Sequence, residues 1–171
     1  MPSSVLWLKA PHNSAIVNLR REAKARGVSP DRIVFASRVP DPADHLARLR
    51  LADLFLDTFP YGAHTTTNDA LLIGLPVLTC AGETLVTRLA GSQLHAIGLP
   101  ELVTADFSDY EALALRLARE PETLAEFRTR LAHNRHTYPL YDMARYTQDF
   151  EDGLEAIWRS FLTQQTRMSS A

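Results

Sequence analysis

Short unbroken apolar runs alternate along the chain with longer stretches in which apolar residues recur every three or four positions. The runs are Val5-Leu6-Trp7-Leu8, Ile33-Val34-Phe35-Ala36, Leu54-Phe55-Leu56, Pro76-Val77-Leu78-Thr79 and Leu102-Val103-Thr104. Runs of this length without polar alternation predict strands covered on both faces. Between them the spacing turns helical: over 14–26 with Ile16, Leu19 and Ala23 on one face, in a shorter segment within 37–52, from Ala70, Leu71 and Ile73, and over 85–97. From 108 onward everything reads as helix. Leu113 and Leu117, then Leu124, Phe127 and Leu131, mark two helices parted near Pro121, and Tyr146, Phe150, Leu154, Ile157 and Trp158 mark a last one from 143 to about 164. The punctuation agrees. Asn13 or Ser14 is expected to cap the first helix and Gly27 to stop it; Asp41 with Pro42 opens the next, Gly98 closes the one before it in the chain, and Ser108 and Glu111 have capping-box spacing.

Strand and helix in alternation imply right-handed βαβ units, hence an α/β fold with a Rossmann-like parallel sheet and helices on both faces. One domain is expected over 1–165, with the helix-rich end from 108 packed on it as a cover and 166–171 as a frayed tail.

Composition narrows the class without naming a chemistry. With 171 residues, 46% apolar and 22% charged, the chain suits one ordinary globular domain. A formal charge of −2 provides no basic field for nucleic acid or an anionic membrane, and no apolar run approaches the roughly 20 residues that span a bilayer. The single cysteine, Cys80, forms no internal disulfide, and no secretory signal pattern opens the chain, so the expected location is cytoplasmic.

The candidate chemistry lies between the third and fourth runs. After a turn carrying Pro60 and Gly62 comes His64-Thr65-Thr66-Thr67-Asn68-Asp69, where a helix is expected to begin. The first turn of a helix has N–H groups without intrahelical partners and sits at the positive end of the dipole. One Thr there reads as a cap; three in a row behind a His suit a phosphate or diphosphate. A second place is His45 with Arg48, three apart on one helical face. Such a pair can hold a flat heterocycle, although spacing alone favours an ordinary exposed pair. Leu56-Asp57-Thr58 has the look of a phosphatase strand end but carries Phe59 where a second acid is needed. The six histidines show no zinc spacing, and neither Gly-x-Gly-x-x-Gly nor a P-loop occurs.

Taken together, Leu51-Ala52-Asp53 through Leu56-Asp57-Thr58, His64-Thr65-Thr66 with Asp69, Gly74-Leu75-Pro76-Val77-Leu78-Thr79, and Arg88 with Gly91-Ser92 resemble the C-terminal catalytic lobe of the O-linked N-acetylglucosamine transferase family, closest to its bacterial SPINDLY-like branch. The most specific part is the His-Thr-Thr-x-x-Asp run between a Leu-Asp-Thr strand and a Gly-x-Pro strand.

The resemblance implies the C-terminal lobe of a metal-independent glycosyltransferase of the two-lobed GT-B type, with a UDP-sugar as donor substrate and no cofactor. Carried over by position, His64, Thr65 and Thr66 contact the diphosphate, Asp69 holds the ribose side, and His45 and Arg48 lie at the nucleobase, against the preference from spacing. Two positions depart from the family: Pro42 stands where a Lys is frequent, and Ala63 precedes His64 where animal members have Gly. The family lobe also has a further first strand, with an N-terminal lobe and helical repeats ahead of it, and no counterpart precedes Val5 here. The expected protein is therefore a donor-binding lobe with an exposed sheet edge near 5–8. It carries no catalytic base of its own, the base being expected in the missing lobe, and is inactive alone. Its partners would be UDP-N-acetylglucosamine or a similar sugar nucleotide, the N-terminal lobe and repeats, and a protein acceptor. The alternative is a non-catalytic module that binds a sugar nucleotide or docks a partner. The sequence leaves UDP-N-acetylglucosamine, UDP-glucose and GDP-fucose open.

Overall fold

The computed structural model describes residues 4–9 and 12–169. Strands β1 (Leu6–Lys9) and β2 (Ile33–Ala36) enclose helix α1 (Asn13–Ala25); helix α2 (Pro42–Leu49) leads to β3 (Phe55–Leu56), α3 (Thr65–Leu72), β4 (Val77–Cys80), α4 (Leu85–Ala96) and β5 (Val103–Thr104). Helices α5 (Phe107–Arg119), α6 (Pro121–Asn134) and α7 (Met143–Ser169) complete the chain. The punctuation works locally as the sequence suggests. The Asp41 carboxylate accepts the Ala43 N–H at 2.8 Å at the start of α2, and Gly27 and Gly98 take the left-handed conformation after α1 and α4, with φ of 75° and 74°. The expected capping box at Ser108 is displaced: Asp106 is the cap of α5 and accepts the Asp109 N–H at 2.8 Å. At α1 the cap is His12 rather than Asn13 or Ser14, and its side chain makes no capping bond.

All pairing is parallel, which bears out the α/β class, but the expected single sheet is divided. β1 pairs with β2, in register Trp7 to Val34; β3, β4 and β5 form a second sheet in that order, with Leu56 opposite Leu78. Among the described residues no ladder joins the two. Helix α2 connects them: it packs beside α3, and its Arg48 guanidinium lies 5.6 Å from the Trp7 ring on β1. The chain therefore passes from the first sheet to the second through α2, which touches both β1 and α3. In open α/β sheets ligands bind beyond the carboxyl ends of the strands, and α2 and α3 each follow such an end.

The core belongs to the second sheet. Ala70 and Leu71 of α3, Val77 of β4, Leu94 of α4, Leu117 of α5 and Leu131 of α6 are at most 1% exposed and form one cluster. Helices α5 and α6 thus cover the sheet as expected. Helix α7 does not: Tyr146, Phe150, Leu154, Ile157 and Trp158 are 52–68% exposed, so its apolar stripe faces no apolar partner among the described residues. Its polar side is laced by Arg145–Asp149 and Arg159–Glu155 pairs four residues apart. The helix continues through Ser169, past its expected end near 164; positions 170–171 of the expected tail lie outside the described residues.

Candidate functional site

The polar turn after β3 is held from several sides. The Asp57 N–H donates to Leu78 O at 2.9 Å and ends the β3–β4 ladder, and the chain then loops through a cis Phe59–Pro60 bond to His64. His64 is the N-cap of α3, with φ −112° and ψ −87°, and its side chain makes no capping bond. Neither Thr65 nor Thr66 is the cap. Both are exposed in the first turn of α3, and among the described residues no hydrogen bond engages their hydroxyls. The third threonine differs: Thr67 is buried, and its hydroxyl donates to Ala63 O at 3.1 Å. The first bond within the helix is from the Asn68 N–H to His64 O, at 3.2 Å, so the N–H groups of the preceding turn have no helical partner. Two unengaged hydroxyls thus stand beside this turn. Asp69, half-buried, follows one turn later.

The His64 ring stacks on Tyr61 with centroids 5.4 Å apart and an interplanar angle of 23°. The Gln93 amide of α4 donates to His64 O at 3.3 Å, and the Tyr141 hydroxyl donates to Asn68 O at 3.0 Å. Burial, with the Asp69 charge adding to it, pushes the Tyr141 phenol up to about 12, so it remains a donor at neutral pH. His64 Nε2 and Gln93 Oε1 are shielded from solvent without a hydrogen-bond partner among the described residues. Such atoms are uncommon in folded proteins and call for an explanation.

The second predicted cluster forms on α2. Arg48 lies within 3.2 Å of His45 Nδ1, its guanidinium also donates to Ser37 O, and its Nε is buried and unpaired. Both residues are half-buried, which sets aside the ordinary exposed pair that spacing alone favours. Each cluster follows the C-terminal end of a strand in its own sheet, and α2 packs on α3. Five of the six predicted residues lie on α2 and α3, and the sixth, His64, is the N-cap of α3. Two shallow hollows, of about 530 Å³ at Arg119–Thr123 and about 300 Å³ between α2 and the end of α3, contain none of the six. Among the described residues no group of three or more His, Cys, Asp or Glu side chains is placed to hold a metal ion. His95 is engaged elsewhere, its Nδ1 2.8 Å from Gly91 O.

Sequence reasoning missed Trp7, Tyr61 and Gln93, whose parts arise from contacts across 3 to 41 positions of chain. For Tyr61 alone a signal existed, an aromatic three before the His in a Pro–Gly turn.

Comparison with known proteins gives the site a context. The profile of Glycosyl transferase family 41 matches residues 1–150. A UDP-N-acetylglucosamine--peptide N-acetylglucosaminyltransferase of Caenorhabditis elegans is 37% identical over 94% of this chain and 14% of its own length. A probable transferase of the same description, SPINDLY of Petunia hybrida, is 33% identical over 79% of this chain and 14% of its own. Among solved structures, a lysine-to-methionine mutant of the Thermobaculum terrenum O-GlcNAc transferase superposes with a TM-score of 0.86 at 33% identity, covering 93% of this chain and 31% of that one. The chain thus spans about a seventh of the two curated relatives and about a third of the solved one. No helix among the described residues is long and apolar enough to cross a membrane.

Proposed function

The chain belongs to glycosyl transferase family 41, and from that premise we propose that it is the lobe that binds the donor, a UDP-sugar, in a transferase that moves N-acetylglucosamine or a related sugar to Ser or Thr of proteins. The observation that carries the reading is the first turn of α3, where Thr65 and Thr66 present unengaged hydroxyls beside unpaired N–H groups and the stacked His64. These groups receive the diphosphate and stabilise the charge that develops on it as the sugar departs. Asp69 holds the ribose. His45 and Arg48 hold the uracil, and the buried, unpaired Arg48 Nε and His64 Nε2 supply donor capacity that folding leaves unused. In this reading the diphosphate is held without a metal, and the base that accepts the acceptor's proton comes from a second lobe of a longer protein.

Titration calorimetry of the chain with UDP and GDP tests the reading. With only part of the donor's contacts present, we expect UDP to bind in about the 10⁻⁴ to 10⁻³ M range and His64→Ala to weaken it about tenfold, the loss of one charge-assisted bond. Sub-micromolar binding contradicts dependence on a second lobe, and no saturable binding of either nucleotide overturns the donor site. Labelled UDP-N-acetylglucosamine with an acceptor peptide should show no turnover by the chain alone; turnover abolished by His64→Ala would place the whole reaction within it.

A further inference from the structure

We infer that Asp57 is a positioning residue, the carboxylate that fixes the anion-receiving turn in its working shape; the inference rests on the donor-site reading for its purpose but on geometry for its substance. Asp57 is 9% exposed and carries a charge of the wrong sign for attracting a diphosphate. Its partners account for it. Oδ1 accepts the N–H of Thr58 at 2.8 Å and the N–H of Ala63 at 2.7 Å, closing the intervening loop on one oxygen. Oδ2 accepts the hydroxyl of Thr79, on the neighbouring strand, at 2.7 Å. The Asp57 carbonyl in turn accepts the Tyr110 hydroxyl at 2.9 Å, and burial pushes that phenol up to about 12, so it stays a donor.

The loop transmits this anchorage to the site. Ala63, bound through its N–H to Asp57, accepts the Thr67 hydroxyl through its carbonyl and is followed at once by His64. The Thr58 hydroxyl donates to Tyr61 O at 2.8 Å, directly before the close approach at Gly62. A Cβ on Gly62 would lie 2.8 Å from Val86 O of α4 and 3.1 Å from Asp57 Oδ2, so the loop is pressed against α4 with no room for a side chain. The Asp57 side chain is thus tied at once to β4 and to both ends of the loop. Without it the N-terminus of α3 keeps its residues but loses the fixed direction of its N–H groups, and preorganised direction is what makes such groups effective toward a developing charge.

The test compares Asp57→Ala, Asp57→Asn and Thr79→Val with Leu131→Ala, a core variant in α6, in the intact chain at a temperature where all are folded. UDP titration should show Asp57→Ala about tenfold or more weaker than the parent, the effect of losing one to two charge-assisted bonds. Asp57→Asn, which keeps an Oδ1 acceptor for both N–H groups and can donate to Thr79 Oγ1, should restore binding to within about threefold. Leu131→Ala should destabilise the fold and leave the dissociation constant unchanged. Folded Asp57→Ala binding like the parent, or Asp57→Asn as weak as Asp57→Ala, overturns the inference. If Asp57→Ala does not fold, Thr79→Val decides by the same titration: about threefold weakening supports the inference and none overturns it. Amide exchange at Thr58 and Ala63, whose N–H groups are the ones held by Asp57, provides a readout without nucleotide. It should accelerate about tenfold in Thr79→Val but not in Leu131→Ala at matched global stability, and equal rates overturn the inference. If the parent fails to bind UDP while exchange responds as stated, the donor reading falls and the positioning role of Asp57 stands.

Discussion

The β1-α1-β2 unit and the β3-α3-β4-α4-β5 unit are written in the same apolar code and end in different states. In the second, Val77 and Leu78 are completely buried, and α3, α4, α5 and α6 all contribute to one core. In the first, α1 has no buried residue, Leu6 is 47% and Val34 43% exposed, and among the described residues only Ile33 is buried. An apolar run makes a strand able to be covered, but the covering has to come from elsewhere. Helices α3, α4 and α5 supply it to β4, whereas α1 contributes no buried residue to β1 and β2. Hydrophobic stabilisation follows area removed from water, about 25 cal/mol per Å², so the two units should differ in energy as they differ in exposure.

The largest expected contrast comes from truncating one side chain in each unit. Leu94→Ala, in α4 at 0% exposure, should cost about 3–5 kcal/mol in urea unfolding, because it removes buried methyl groups and leaves a cavity. Val34→Ala, at 43% exposure, should cost under about 1 kcal/mol. Equal costs would break the comparison and show that β2 carries hidden burial.

A sharper contrast uses two glycines in the same backbone conformation. Gly27 after α1 (φ 75°) has nothing within 4 Å of where a Cβ would stand, whereas at Gly98 after α4 (φ 74°) a Cβ would lie 2.2 Å from the Tyr138 ring. Alanine at 27 should therefore cost only the left-handed backbone, about 1–2 kcal/mol. Alanine at 98 should cost that plus displacement of Tyr138, a further 1–3 kcal/mol or so, typical of overpacking. The difference between the two unfolding midpoints measures packing alone.

The smallest effect is alkaline. Tyr110 and Tyr141, both serving the second unit, are pushed up to about 12 from an ordinary value of 10, chiefly by burial. A group whose folded value is raised contributes its full stability below pH 10 and loses it as pH rises toward 12. Thermal midpoints should fall across that window. Tyr110→Phe and Tyr141→Phe should each flatten the fall while lowering the midpoint at pH 8, where a hydrogen bond to a backbone carbonyl is lost.

Much of this was legible in the sequence. Five apolar runs announced five strands within one or two residues, Gly27, Asp41, Pro42 and Gly98 marked helix ends, and His64-Thr65-Thr66 stood at the start of α3 where a helix was expected to begin. These are local matters, decided by φ preference, capping and spacing within a few residues. The chemistry of Asp57 was not legible. As a lone acid after a strand it suggested a nucleophile that lacked its partner, because nothing in one dimension shows that Thr79 and the Ala63 N–H converge on it. Nor does spacing separate His45 and Arg48 from an exposed pair; Trp7, reached across the fold, does that.

What the sequence determined by itself was the α/β class, the order of elements and the polar turn that opens α3, since each follows from short-range periodicity and backbone preference. What only the tertiary structure decided was the division of the sheet, the bare stripe of α7, and which threonine turns inward: Thr67 is buried while Thr65 and Thr66 stay free. Those outcomes depend on what lies across from a residue in space. Burial and pairing are properties of two surfaces, and a sequence pattern describes only one of them.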